Sequence, residues 1–138
     1  MVNLGDSRMI KDQIFPEKVF FVNRALLKQY ADASGDQNPI HQDEAFAKSV
    51  GLPDVIAHGM LTMALIGRYV SELAGGSEKV LELSGRFTKP VIVPEGAEVD
   101  LTISATVSEV SESRVSLTLS ATSAGVKVLG LAKAVIAQ

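Results

Sequence analysis

An α+β fold, with one long antiparallel sheet wrapped around a central helix, is what this sequence predicts, and three observations carry the prediction. Residues 59 to 74 place apolar side chains over most of a helical circumference, the mark of a helix surrounded by protein. From Lys79 onward the pattern changes to apolar alternation, as strands with one buried face require. The alternating segments are joined by short turns, which makes the strands antiparallel neighbours.

Taken in order, Val19 to Val22 reads as a short strand. Asn23 then caps a helix whose Leu26, Leu27, Tyr30 and Ala31 form one buried stripe, and Gly35 supplies the stop. Asn38 precedes Pro39, whose ring drives the preceding residue out of the helical region, so residues 36 to 40 form a turn. Asp43 to Val50 is a second, short helix ended by Gly51, and a third runs from Gly59 or Met60 to Ala74, ended by Gly75 and Gly76. Because Met60, Leu61, Met63, Ala64, Leu65, Ile66, Tyr69, Val70 and Leu73 cover most of its faces, this third helix is expected to be buried. The strands follow, with Leu81, Leu83 and Phe87, then Val99 to Val107, then Val115 to Ala121. Turns fall at Pro94 to Gly96, Ser111 to Ser113 and Ser123 to Gly125, and one last strand runs from Val126 to Ile136.

The 138 residues with 46% apolar content suffice for one core, so a single domain over 1–138 is expected, without internal repeats. A net charge of -3, with Lys and Arg scattered and no basic run, argues against a nucleic-acid partner. The absence of cysteine removes disulfides, thiolate nucleophiles and Cys-ligated zinc. The longest stretch free of charged residues, Val55 to Gly67, is interrupted by His58 and falls short of the ~20 residues a membrane span needs. MVNLGDSRMI lacks the apolar core of a leader peptide. A soluble, cytoplasmic chain with no membrane partner is the expectation.

The chemistry concentrates in SGDQNPIHQD, residues 34 to 43. Asp36 and His41 lie five residues apart around a forced turn, a spacing that can bring a carboxylate and an imidazole to one side of a loop and let them handle protons near neutral pH. Asn38 and Pro39 support that loop, since an Asn side chain hydrogen-bonds nearby backbone. Two other readings stand beside this one. Asp36 could merely cap backbone, with His41 a surface residue at the start of the next helix. Asp36, His41, Asp43 and Glu44 could also offer metal ligands, although no second histidine stands at a metal-binding spacing.

A resemblance favours the catalytic reading. YADASGDQNPIHQDEAFA, Tyr30 to Ala47, resembles the signature of the MaoC-like (R)-specific enoyl-thioester hydratases and (3R)-hydroxyacyl dehydratases, whose G-D-x-N-P-x-H core is matched by Gly35, Asp36, Asn38, Pro39 and His41. A second landmark of that family, a small-H-G-M-L start to the long helix, is matched by IAHGMLTM, Ile56 to Met63, and a third, F-x-x-P, by FTKP, Phe87 to Pro90. The similarity runs from about Val19 to the C-terminus. Within the family the chain resembles the catalytic subunit of actinobacterial type II fatty-acid dehydratases that act on long acyl-carrier-protein substrates, on the strength of VGLPDVIAHGMLTM and its single-domain length.

The resemblance implies a hotdog fold, in agreement with the periodicity. It implies reversible syn hydration of a trans-2-enoyl thioester to the (3R)-3-hydroxyacyl thioester in fatty-acid metabolism, with Asp36 and His41 catalytic and no cofactor or metal. The Gly59 N–H, at the start of the long helix, is then the donor to the thioester carbonyl, and glycine there admits close approach to the backbone. Met60, Met63, Ala64 and Gly67 are candidates to border an acyl channel, and Arg86 and Lys89 to contact the phosphates of coenzyme A or an acidic carrier protein. His58 reads as a helix-start residue whose ring hydrogen-bonds locally. The implied partners are an acyl-CoA or acyl-carrier-protein substrate, and either a second copy of the chain or a non-catalytic hotdog subunit. The competing functions are a non-catalytic acyl-binding subunit, which the presence of both Asp36 and His41 disfavours, and a hotdog thioesterase. Such thioesterases typically carry a carboxylate on the central helix, where the first acid here is Glu72. Acyl-chain length, carrier and physiological direction are not readable.

Overall fold

The computed structural model describes residues 8–138; most of the N-terminal stretch read above for a leader lies outside them. Four elements come first: β1 (Ile14–Val22), α1 (Arg24–Ser34), α2 (Glu44–Ser49) and α3 (Gly59–Ala74). They are followed by β2 (Val80–Phe87), β3 (Val99–Val110), β4 (Arg114–Ser123), β5 (Val126–Lys127) and β6 (Leu129–Ala137). The strands form one antiparallel sheet in the order β1-β3-β4-β6-β2, with β5 attached to β4 alone.

Alternation decides which face meets α3. Leu101, Ile103, Ala105 and Val107 of β3 and Leu117, Leu119 and Ala121 of β4 are buried together with Leu61, Ile66, Tyr69 and Val70 of α3. The intervening residues pair across the strands as Thr102 with Thr122, Ser104 with Ser120 and Thr106 with Thr118 on the outer face. Each inward Leu or Ile stabilises the fold by about 1.5–3 kcal/mol, and a one-residue slip would exchange the two sets. The result is the hotdog arrangement, a sheet curled around one long helix.

Three expectations change. β1 begins at Ile14 rather than Val19, because Pro16 sits at an irregularity between Phe15 and Lys18 on an edge strand, where a missing N–H is tolerated. The last strand is two pieces: Val128 turns inward, donates to the Ala121 carbonyl at 3.0 Å and accepts from the Thr88 N–H at 3.0 Å. The β4–β5 turn uses Ala124 and Gly125 at φ 51° and 75°, the two positive values of a tight hairpin turn, with the Asp100 carboxylate accepting from the Ala124 N–H. Finally, α3 is not buried all round: Met60, Ala64, Arg68 and Glu72, spaced i, i+4, form an exposed stripe. Among the described residues no helix is long and apolar enough to cross a membrane.

Candidate active site

Three short polar side chains build the loop after α1. Gly35 ends the helix at φ 82°, a left-handed conformation glycine adopts without strain, and its N–H bonds the Ala31 carbonyl. Beyond it, Ser34 Oγ accepts from the Asp36 N–H, Asp36 Oδ1 from the Asn38 N–H, and Asn38 Oδ1 from the Ile40 N–H, each at 3.2 Å. Each oxygen satisfies the backbone two residues ahead, so the ladder replaces the helical hydrogen bonds that Pro39 would break. Residues Pro39–His41 form one turn of 3-10 helix, and Asp43 caps α2 through the Phe46 N–H.

The loop is fixed to the start of α3. Ile56 N–H donates to the Ile40 carbonyl at 3.2 Å, and Ala57 N–H to Val91 at 2.9 Å. Arg24 donates to the Val93 carbonyl at 2.6 Å and pairs with Asp54 at 3.0 Å, binding α1 to the same segment. His41, buried at 7% exposure, places Nδ1 2.7 Å from the Ile56 carbonyl. A carbonyl can only accept, so Nδ1 carries a proton, and Nε2 is the nitrogen left to exchange protons with a substrate.

His58 stands at the N-cap of α3, as its helix-start reading expects, but its ring does not hydrogen-bond locally. Its side chain makes no cap hydrogen bond; it is 1% exposed and reaches back to the Asp36 carbonyl, with Nε2 at 3.2 Å. Its ring stacks on His41 at 3.8 Å and 23°, and Tyr30 packs beside it at 4.8 Å. Burial pushes its pKa down from the usual histidine value, while the Asp36 carbonyl pulls weakly the other way. One oxygen of Asp36 and one ring nitrogen each of His41 and His58 lie within 4.8 Å of one another. Asp36 and His41 are therefore brought together, the carboxylate exposed and the imidazole buried.

A cavity of about 350 Å³ opens beside His41, lined by Ile56, Ala57, Gly59, Thr62, Phe87, Thr88, Lys89, Pro90, Val91 and Val128. Gly59 lines it as the first residue of α3, where a backbone N–H has no intrahelical partner. Its lack of a side chain serves Phe87: a Cβ on Gly59 would stand 2.8 Å from Cζ of that ring. Of the channel candidates, Met60, Met63, Ala64 and Gly67 do not line this cavity. Met60 is 62% exposed, Met63 faces Gly85 of β2, and Gly67 faces Leu83. Thr62 and Phe87 stand at the cavity instead. Lys89 is on its wall, whereas Arg86 lies in β2 away from it. Phe87 was legible as a strand residue and through FTKP, whereas Thr62 was quoted within IAHGMLTM but not singled out as a site residue. Glu72, the first acid of α3, is at the far end of the helix, paired with Lys18 at 2.6 Å and Arg68 at 3.3 Å.

Residues 7–125 match the MaoC-like domain family. The chain belongs to that family. It is 38% identical over 82 residues to 3-hydroxyacyl-thioester dehydratase X of Mycobacterium tuberculosis, covering 59% of this chain and 28% of that protein. A solved MaoC-like dehydratase superposes with TM-score 0.90 at 32% identity over 96% of this chain and 41% of its own. An R-hydratase from Pseudomonas aeruginosa does so with TM-score 0.79 at 30% identity, over 94% of this chain and 82% of its own. The match thus spans less than half of the first two relatives and most of the third.

The start of α3 supplies the second histidine that the local spacing lacks, so Asp36, His41 and His58 gather at one point. The wider metal set is dispersed: Asp43 caps α2, and Glu44 pairs with Lys48 at 2.8 Å.

Proposed function

We propose that the chain catalyses reversible hydration of trans-2-enoyl thioesters to (3R)-3-hydroxyacyl thioesters, carried on coenzyme A or acyl carrier protein, in fatty-acid metabolism. The observation that carries this reading is the pairing of an exposed Asp36 carboxylate with a buried His41 whose Nδ1 is committed to Ile56 and whose Nε2 is free. In dehydration His41 Nε2 removes the α-proton while the protonated Asp36 carboxyl gives its proton to the C3 hydroxyl, which leaves as water. In hydration Asp36 accepts a proton from water, the resulting hydroxide bonds to C3, and the His41 imidazolium returns a proton to C2. Each positioned group contributes about 10²–10⁴-fold. The Gly59 N–H, at the positive end of α3, is the donor to the thioester oxygen as it gains charge. The positive charge of Lys89, which lines the cavity, supports a role for it in meeting the anionic carrier. No residue of the site is assigned to a metal or cofactor.

The unit acts with a second hotdog subunit, identical or non-catalytic. β2 is an eight-residue sheet edge with nearly every residue exposed, an arrangement that invites strand pairing. Leu81, Phe87 and Leu131 of this edge region and Met60 of α3 are exposed at 43%, 53%, 83% and 62%.

The test is incubation of the purified chain with crotonyl thioester, alone and with a co-expressed relative, followed by chiral analysis. The (3R) alcohol is expected. A predominantly (3S) product, or no conversion in either preparation, would refute the reading.

A further inference from the structure

His58 is the best-buried polar side chain of the site, and no role in the proton transfers above requires it. Its Nε2–H is committed to the Asp36 carbonyl. Its Nδ1 is buried without a hydrogen-bond partner. A buried acceptor left unpaired is costly and uncommon, and an apolar ring would avoid it. What an apolar ring cannot supply is the N–H aimed at residue 36. What a non-aromatic donor cannot supply is the flat face against which His41 stacks. The two contacts converge on the two members of the pair from one side chain, with Tyr30 behind it.

We infer that His58 is a positioning residue for the reaction, holding the main chain of Asp36 through Nε2–H and backing the His41 ring with its π face. The inference rests on the proposed hydratase reading and deepens it. Mechanistically, the stack matters most when His41 becomes an imidazolium, because an aromatic face attracts a cation. A protonated His58 would repel it, and protonation would also bury a second N–H with no acceptor. His58 therefore stays neutral. The titratable groups around the two rings are Tyr30 from α1, Asp36 from the loop and Lys89 from the cavity wall.

Two variants separate the contacts. His58→Phe keeps a ring and removes the donor; His58→Gln keeps a donor and removes the ring. Both are expected to melt cooperatively and to lose kcat by roughly 10²-fold, the scale of a small misplacement of reacting groups, with KM little changed. The alkaline limb of the kcat/KM profile for hydration, which reports loss of the His41 imidazolium, should move to lower pH by roughly half a unit in His58→Gln and stay in place in His58→Phe. Wild-type kcat in both variants would overturn the assignment, as would a loss of activity that follows only the fraction unfolded. Histidine ¹⁵N spectra of the wild-type chain give an arm independent of turnover and of variant folding. They should show His58 as the Nε2–H tautomer, still neutral at a pH where an ordinary histidine is half protonated; the Nδ1–H tautomer, or protonation at or above that pH, would overturn the inference. If the wild-type chain hydrates no enoyl thioester, the hydratase reading fails, and the spectra alone decide the geometry assigned to His58.

Discussion

Replacing Asp36 by Asn isolates the carboxylate from the scaffold that presents it. The loop uses three features of this residue: its N–H donates to Ser34 Oγ, its Oδ1 accepts from Asn38, and its carbonyl accepts from His58. Asparagine retains all three, since its amide oxygen replaces Oδ1. The side chain is exposed, and exposed substitutions outside such contacts change stability by about 0.5 kcal/mol or less. For a chain of this size that is a shift in Tm of about 2 °C. The lost chemistry is far larger. A general base contributes about 10²–10⁴-fold, or about 2.7–5.4 kcal/mol of barrier at 1.36 kcal/mol per decade. The kinetic effect thus exceeds the stability effect at least about fivefold, so a null result cannot be blamed on unfolding. The assay is loss of enoyl-thioester absorbance alongside a melting curve. An Asp36→Asn chain that retains rates within threefold of wild type at unchanged Tm would remove Asp36 from the chemistry. His41→Ala is a less clean experiment. It empties a buried position, leaves the Ile56 carbonyl unpaired and is expected to cost about 1–3 kcal/mol of stability as well as activity.

Other outcomes follow from packing and charge. Gly59→Ala drives a methyl to 2.8 Å from the Phe87 ring and should cost about 1–3 kcal/mol; adding Phe87→Leu should recover most of it, as read by urea midpoints, and strict additivity would show that the two positions do not interact. Leu81→Lys places a charge on the exposed β2 edge and should shift the chain toward monomer by light scattering; an unchanged mass would place the subunit contact elsewhere. Burial raises the Tyr69 hydroxyl to about 12, and it donates to the Pro16 carbonyl at 3.0 Å. A raised pKa means its contribution is intact below the ordinary value near 10 and lost as pH climbs from there toward about 12. Tyr69→Phe should therefore flatten the alkaline fall in stability while costing about 1 kcal/mol at neutral pH; an unaltered alkaline slope would show that Tyr69 does not govern it.

How far the sequence revealed this protein depends on the range of the interaction concerned. Gly35 and Gly75 both adopt left-handed φ at helix ends, so the limits of α1 and α3 were legible from single residues. The Ser34, Asp36 and Asn38 ladder spans two residues per step, and its consequence, Asp36 and His41 presented from one loop, was legible in the spacing around Pro39. Errors begin where local signals compete with position in the sheet. Pro16 disguised half of β1, because only its place at an edge irregularity makes a proline acceptable. The apolar first half of α3 concealed its exposed stripe, because Met60 and Ala64 look like core residues and only Arg68 and Glu72 further along the same face mark it as uncovered.

The same division runs through the site. His58 lies 22 residues from the carbonyl it holds, and Gly59 is kept free of a side chain by Phe87 in β2. Neither contact has a periodicity; both follow from where the sheet sets β2 against the start of α3. HGM reads locally as a helix start, and in three dimensions each of its first two residues answers to a different distant neighbour. His58 must be a flat ring with an N–H toward Asp36, and Gly59 must be nothing larger than hydrogen beneath Phe87. A substitution that suits the helix alone, such as Ala at 59 or an N-capping Ser at 58, satisfies local propensity and disrupts the site. Fixed residues at these two positions are therefore demanded by the tertiary contacts and not by the helix they begin.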